Sequence, residues 1–301
     1  MELQFKNTLE KEKLSFLNCM CNFLDSLEFE TEQVNGRPKA NQREILKNLL
    51  VMSYNSMSYR RAISDIEILY DKGLILEKIS RTTLNDYVNN SKTIEILERL
   101  IQLTSTYFKI EDTLIVDSTW FGEKMYVGGC NKVHNNKQGL FNTRKIHIGI
   151  LKNSKIICYA KATSGTRHDC PIFKEILSET IKIFNIKYCL GDAGYVSKEN
   201  YILCEDNNIK AFLNFKKNYK SSGGKSNLWK QQIDLWKNNK DVWHESYRFR
   251  VLVESTFSVI KKKFGNYLRS RNQESMDVEM LLKCLCYNLC IISKDFGQLS
   301  D

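Results

Sequence analysis

Apolar positions recur along the chain with two different periods, and the change falls near residue 110. Before it the period is helical. Leu14, Leu17, Met20, Cys21 and Leu24 fall at spacings of one, three and four, which lays them along one face of an amphipathic helix. Acidic residues and a turn at Asn35-Gly36 close that stretch. Asn41 predicts the cap of a helix reaching Met52, Ser56 or Ser58 that of a second through about Tyr70, and Ser80 that of a third, Arg81 to Tyr87. The third bears Arg, Thr and Asn on a polar face. That suits either a helix-turn-helix that reads the major groove or a plain helical bundle. Gly36-Arg37-Pro38-Lys39 suits either a minor-groove arm or a surface turn.

After residue 110 the runs shorten and β-branched residues dominate. Thr113 to Asp117 predicts a buried strand ending at the aspartate, followed by a loop over 119–142 with Gly128-Gly129 and Gly139. Strands at about 144–151 and 155–163 follow, joined at Lys152-Asn153-Ser154 in hairpin fashion. A helix over 169–183 takes Asp169 as cap and Pro171 in its first turn. Ile186 to Leu190 is another apolar run, ending at Gly191-Asp192. A helix near 197–207, a strand near 210–214, a basic loop over 215–226 and helices to about Ser293 complete the pattern. Strands alternating with helices predict an α/β fold: a mixed sheet flanked by helices, preceded by an all-α N-terminal domain. The boundaries read as 1–110 helical, 111–293 mixed α/β, and 294–301 tail. Trp229, Trp236 and Trp243, seven apart, read as the packing face of a helix in preference to a base-stacking platform.

Charge adds a partner. The net charge of the 301-residue chain is +10, and it is unevenly placed. Residues 1–113 hold 15 Lys+Arg against 17 Asp+Glu, whereas residues 210–271 hold 15 against 4. Such a patch attracts polyanions, nucleic acid foremost. The ten cysteines show no Cys-x2-Cys pair and lie mostly in apolar stretches, which argues for reduced core residues over a zinc site or a disulfide framework. No signal-peptide pattern opens the sequence and no run of about 18 apolar residues occurs. The expectation is a cytoplasmic, nucleoid-associated protein with no membrane partner.

Candidate chemistry gathers on three acids. Asp117 and Asp192 each close an apolar run. Glu254 lies in a series with Tyr247, Arg250 and Lys261 at spacings of 3, 4 and 7. On an α-helix those four occupy a strip about 60° wide and about 21 Å long. A tyrosine, two cations and a carboxylate are poor core material but suit a phosphodiester held beside metal ions. Converging carboxylates repel unless cations sit among them, and two Mg²⁺ or Mn²⁺ ions would resolve that conflict. Each acid also has a structural reading: Asp117 as a turn cap, Asp192 as part of a strand-to-helix turn, Glu254 as the ion-pair partner of Arg250. Arg144, Lys145 and His147 open the second strand with Lys145 and His147 on one face; they suit either an approach to the active edge or edge-strand solubility.

These motifs carry a resemblance. Tyr247-x2-Arg250-x3-Glu254-x6-Lys261 resembles the Tyr-Arg-Glu-Lys signature of bacterial and archaeal insertion-sequence DDE transposases of the family-four and family-five type. Asp192-Ala193-Gly194-Tyr195 resembles their second-aspartate motif and Val116-Asp117-Ser118-Thr119 their first, so the likeness covers about residues 110–290. It implies an RNase H-like catalytic domain that cuts transposon ends and joins the freed 3′-hydroxyl to target DNA, acting as a homodimer on double-stranded DNA. Asp117, Asp192 and Glu254 then correspond to the metal-binding catalytic triad, and Tyr247, Arg250 and Lys261 to residues that hold DNA phosphates. Lys262, Lys263, Arg269 and Arg271 extend the basic surface toward the backbone. The 61 residues between Asp192 and Glu254 leave little room for the large β insertion of some relatives. Two alternatives accompany this reading: a transposase-derived DNA-binding regulator without catalysis, and an RNase H-like nuclease.

Overall fold

A computed structural model describes residues 2–29, 40–123, 143–215 and 226–298. The Gly36-Arg37-Pro38-Lys39 arm, most of the 119–142 loop and nearly all of the basic loop at 215–226 lie outside the described residues. The chain opens with helices: α1 (Glu2–Asp25), α2 (Gln42–Tyr54), α3 (Tyr59–Asp71), α4 (Arg81–Val88) and α5 (Ser91–Ser105). Asn41 and Ser80 cap α2 and α4 by accepting from the Arg43 and Thr83 amides. Ser58 precedes α3 without a side-chain cap bond.

The sheet comprises β1 (Thr113–Glu123), β2 (Thr143–Leu151), β3 (Ile157–Ser164), β4 (Tyr188–Gly191), β5 (Lys210–Leu213) and the short β6 (Tyr267–Leu268). Between these strands run α6 (Ile172–Ile181), α7 (Lys198–Asp206), α8 (Asn227–Asn238), α9 (Lys240–Tyr247) and α10 (Val251–Phe264), and α11 (Gln273–Gln298) follows β6. The strand order is β3-β2-β1-β4-β5, with β2 antiparallel to its neighbours and β4 and β5 parallel to β1. This is the RNase H-like mixed sheet. The last helix runs on through residues 294–298, into the segment read as tail.

One difference from the sequence pattern positions the site. β1 does not end at Asp117; it continues to Glu123, so residues 119–123, expected in a loop, are strand. Two partners extend it. β2 stays paired as far as Gly122↔Thr143, and β6 joins at Gly122 and Glu123. β4 leaves β1 after Val116↔Gly191. Between the end of β4 and the start of β6, one edge of β1 therefore lies open, and Asp117 stands at its beginning.

The sheet separates two cores. On one face Ile115, Phe121, Ile146 and Ile148 pack with α1, α2, α5, α10 and α11, so the N-terminal helices share a core with the sheet. On the other, Leu114, Val116 and Cys158 pack with α6, α7 and α8. Residues along β1 alternate between these faces as a pleated strand requires. Trp229 and Trp243 are buried, the first edge-on to Tyr201 and Phe215 and the second stacked on Tyr247. The tryptophans are packing residues, on two helices broken at Asn239. Gly265 ends α10 at a φ of 86°, a conformation that disfavours side chains, and buried Lys283 donates to the Phe264 carbonyl at the helix end and to those of Gly265 and Tyr267 beyond it.

Candidate active site

Asp117 lies on the α10 face of β1, 8% exposed, and accepts the Ser118 amide at 2.8 Å. Asp192 follows β4 immediately. Its Oδ1 accepts the Gly194 amide and so caps a 3₁₀ turn at Ala193–Tyr195. Because Gly191 is paired beside Val116, the residues that follow them, Asp192 and Asp117, leave neighbouring positions at the same edge of the sheet. Tyr195, fully buried beneath the turn, packs against Phe173.

Glu254 arrives from α10. The strip of Tyr247, Arg250, Glu254 and Lys261, expected on one helix, is divided: a 3₁₀ turn at Arg248–Arg250 separates α9 from α10. That turn packs against β1 and β4. It delivers Arg250 between two acids: Nη1 is ion-paired with Glu254 Oε1, and Nη2 lies 3.6 Å from Asp117 Oδ2. Lys261, about two turns beyond Glu254 on α10, donates to Thr119 Oγ1 at 2.6 Å and stands 5.2 Å from the Phe121 ring centroid. Both partners lie in the part of β1 read from sequence as loop.

Electrostatics couples these groups. Burial pushes the Asp117 carboxyl up to about 6, with Asp192 and Glu254 adding to the rise while the Ser118 amide and Arg250 oppose it. Tyr247 is pushed up to about 12, by burial first and by the same three acids, against Arg250. Burial lowers the Lys261 ammonium.

The remaining candidate residues divide. Lys262 and Arg271 are exposed. Lys263 is engaged by Glu12 of α1, and Arg269 donates to the Ser56 carbonyl and the Tyr267 hydroxyl. Arg144 pairs with Asp277 of α11. Lys145 and His147 share the opposite face, as alternation requires. They are buried on a central strand, so edge solubility does not explain them.

Sequence reasoning misplaced Asp169. Its carboxylate does not cap α6, whose first turn follows Pro171 without a side-chain cap bond. Instead Asp169 Oδ1 accepts from Ser118 Oγ at 2.7 Å, ion-pairs with Lys145 Nζ at 2.6 Å and lies 3.2 Å from His147 Nδ1. Burial alone would raise this carboxyl, yet His147, Lys145 and Ser118 together hold it well below the usual carboxylate range. The available signal was a lysine and a histidine two apart on one face of an otherwise apolar strand.

The transposase DDE domain model matches residues 109–289, more than half of the chain, and the chain belongs to that family. Among solved structures it is similar to the piggyBac transposase in a cryo-EM synaptic complex with hairpin DNA. The identity is 11% and the TM-score 0.43, over 96% of this chain and 76% of that one. No curated protein matches the sequence significantly. Cutting and joining DNA strands is the general activity of the family, with divalent metal ions as its general cofactors. No helix among the described residues is long and apolar enough to cross a membrane.

The acids fit such ions in chemistry. Asp117, Asp192 and Glu254 offer only carboxylate oxygens, the donors that hard divalent cations favour, and Asp192 and Glu254 both act to raise Asp117, in the same direction as burial. Among the described residues, no three acidic, His or Cys side chains form a group that could hold a metal ion. Arg250 supplies the positive charge between two of the three.

Proposed function

We propose that this chain is a metal-dependent DNA transposase of the insertion-sequence type, which cleaves transposon ends and transfers the freed 3′-hydroxyl to target DNA. The observation that carries the proposal is the meeting of Asp117 and Glu254 on Arg250 beside the β4 end that bears Asp192. Asp117, Asp192 and Glu254 would hold two ions, Mg²⁺ or Mn²⁺. Bound there, such ions activate a water or 3′-hydroxyl on one side of a phosphate and stabilise the leaving oxygen on the other.

The chain's own residues supply substrate grip. Arg250 exchanges its carboxylate partners for a phosphate oxygen, to which a guanidinium offers a bidentate fork. Lys261 of α10 brings an ammonium to Thr119 of β1; Tyr247, coupled to Arg250 and the three acids, offers a hydroxyl. Lys262 and Arg271 extend contact along the backbone, and Lys263 and Arg269 join once released from Glu12 and Ser56. The polar face of α4, with Arg81, Thr82 and Asn85 exposed, suits contact with terminal-repeat DNA. A homodimer would bring two ends together.

The test is a supercoiled plasmid carrying the reading frame with its flanking sequence, incubated with purified protein and Mg²⁺. Asp117→Asn, Asp192→Asn and Glu254→Gln should each abolish cleavage while retaining DNA binding. Undiminished cleavage by any one of them would refute the assignment.

A further inference from the structure

Asp169 is bound from both strands beneath the site, and none of those bonds serves its own helix. Lys145, 3% exposed, and His147, fully buried, reach it from β2. Ser118 reaches it from β1, one residue beyond Asp117, and donates its amide to Asp117 while giving its hydroxyl to Asp169. The other Asp169 oxygen faces the Asp192 turn. A Cβ built on Gly194 would lie 3.0 Å from Asp169 Oδ2 and 3.0 Å from Asp192 Oδ1, so those two oxygens are at most twice that distance apart. The glycine of the Asp-x-Gly-aromatic motif is the gap through which the two carboxylates approach.

We propose that Asp169 is a positioning residue of the active site, holding the strand that carries Asp117 and the turn that carries Asp192 in fixed relation while neutralising Lys145. The inference rests on the transposase reading and deepens it. Lys145 is a buried cation and requires a counter-charge. Asp169 provides it on the face of the sheet opposite Asp117, with its other oxygen toward the Asp192 turn. Without that charge the lysine's field falls on Asp192, the nearest carboxylate of the turn, and opposes any divalent ion there. The hydrogen bond from Ser118 acts in the same direction by a different route: it fixes the peptide whose N–H orients the Asp117 carboxylate.

Mn²⁺ binding to the full chain, read from the loss of the free-ion electron paramagnetic resonance signal, tests this without relying on turnover. Asp169→Asn should raise the Mn²⁺ concentration for half-occupancy about tenfold, the lower end of what losing an outer partner of a metal-holding carboxylate costs. It should raise the Mg²⁺ requirement for plasmid cleavage in parallel. Asp169→Asn combined with Lys145→Met, which removes both charges, should return Mn²⁺ affinity to within about threefold of wild type; Ser118→Ala should weaken it by a smaller factor than Asp169→Asn. Melting temperatures report folding separately. Wild-type Mn²⁺ affinity in Asp169→Asn overturns the proposal, and so does a double variant no better than the single one. If Asp192→Asn itself leaves Mn²⁺ binding untouched, the transposase reading of the site fails first, and the two failures are thereby told apart.

Discussion

Arg250 Nη2 lies 3.6 Å from Asp117 Oδ2, so a cation on the turn before α10 neutralises a buried acid of the central strand. The same guanidinium holds Glu254. It is therefore competing for the position that divalent ions would take, and Arg250→Ala should move two quantities in opposite directions. Mn²⁺ affinity in the absence of DNA should rise on the order of fivefold, as removal of one partly screened charge at this range implies. DNA affinity should fall across all sequences, with the slope of its salt dependence reduced by about one. Fluorescence anisotropy at several salt concentrations measures the second. If neither quantity changes, Arg250 is a structural ion-pair partner and nothing more.

Gly194 tests the approach of Asp169 and Asp192 directly. A methyl group there meets both carboxylates at 3.0 Å, closer than ordinary contact, and one of them must yield by a few tenths of an ångström. The residue is exposed, so the cost to folding is small. Gly194→Ala should leave the melting temperature within roughly 2 °C of wild type yet lower plasmid cleavage at least about tenfold, because displacement of a reacting group is penalised far more in rate than in stability. Equal losses in both measurements would contradict the argument.

The contrast between Asp192 and Asp169 marks what local pattern reveals. Caps at Asn41 and Ser80, the hairpin strands and the strand ending at Gly191-Asp192 follow from nearest neighbours in sequence, and the chain obeys them. The full length of β1 depends on β6, which arrives from residues 267 and 268, and no local signal at Thr119 announces that pairing. The break at Arg248–Arg250 likewise coincides with packing against β1 and β4, and its residues are acceptable helix formers. Asp169 precedes a helix and a proline, where the local rule favours a cap. Three tertiary partners at once outweigh it. The acids of the candidate site were legible because their spacing is a pattern, whereas the seat that holds them is distributed over four elements.

Glu98 on α5 gives a pH dependence away from the site. Burial foremost, with Glu175, Glu95 and Asp277 adding and Lys161 opposing, pushes its carboxyl up from 4.5 to about 7. An acid raised in the folded state favours folding in its protonated form. Its contribution is complete below the unfolded value and is lost as pH rises through the folded one. Glu98→Gln, permanently neutral, should therefore match wild type near pH 4.5 and melt roughly 3 °C higher at pH 8. Calorimetric scans at the two pH values decide it; a constant difference between the variants would mean that Glu98 does not titrate in this window.

Asn288 ties the last helix to the edge of the sheet. It is fully buried on α11; its Oδ1 accepts the Ile157 amide at 2.9 Å, and its Nδ2 donates to the Ile157 carbonyl at 2.7 Å and to Thr104 Oγ1 at 2.8 Å. One amide side chain thus satisfies both backbone groups of the first residue of β3, an edge strand, where the ladder to β2 has just shifted register. Leucine has nearly the same volume and no polar atom. Asn288→Leu would bury the Ile157 N–H and C=O without partners, at about 1–3 kcal/mol for each group left bare, so melting should fall by roughly 5–10 °C. Asn288→Asp restores an acceptor but buries a charge against a carbonyl, and should be worse at neutral pH than at pH 4. Because Ile157 lies on β3, separated from β1 and Asp117 by the width of β2, Mn²⁺ binding below the transition should be unchanged in Asn288→Leu. A melting temperature within 2 °C of wild type would mean that the strand edge finds other partners, and that packing of α11 alone holds β3 in place.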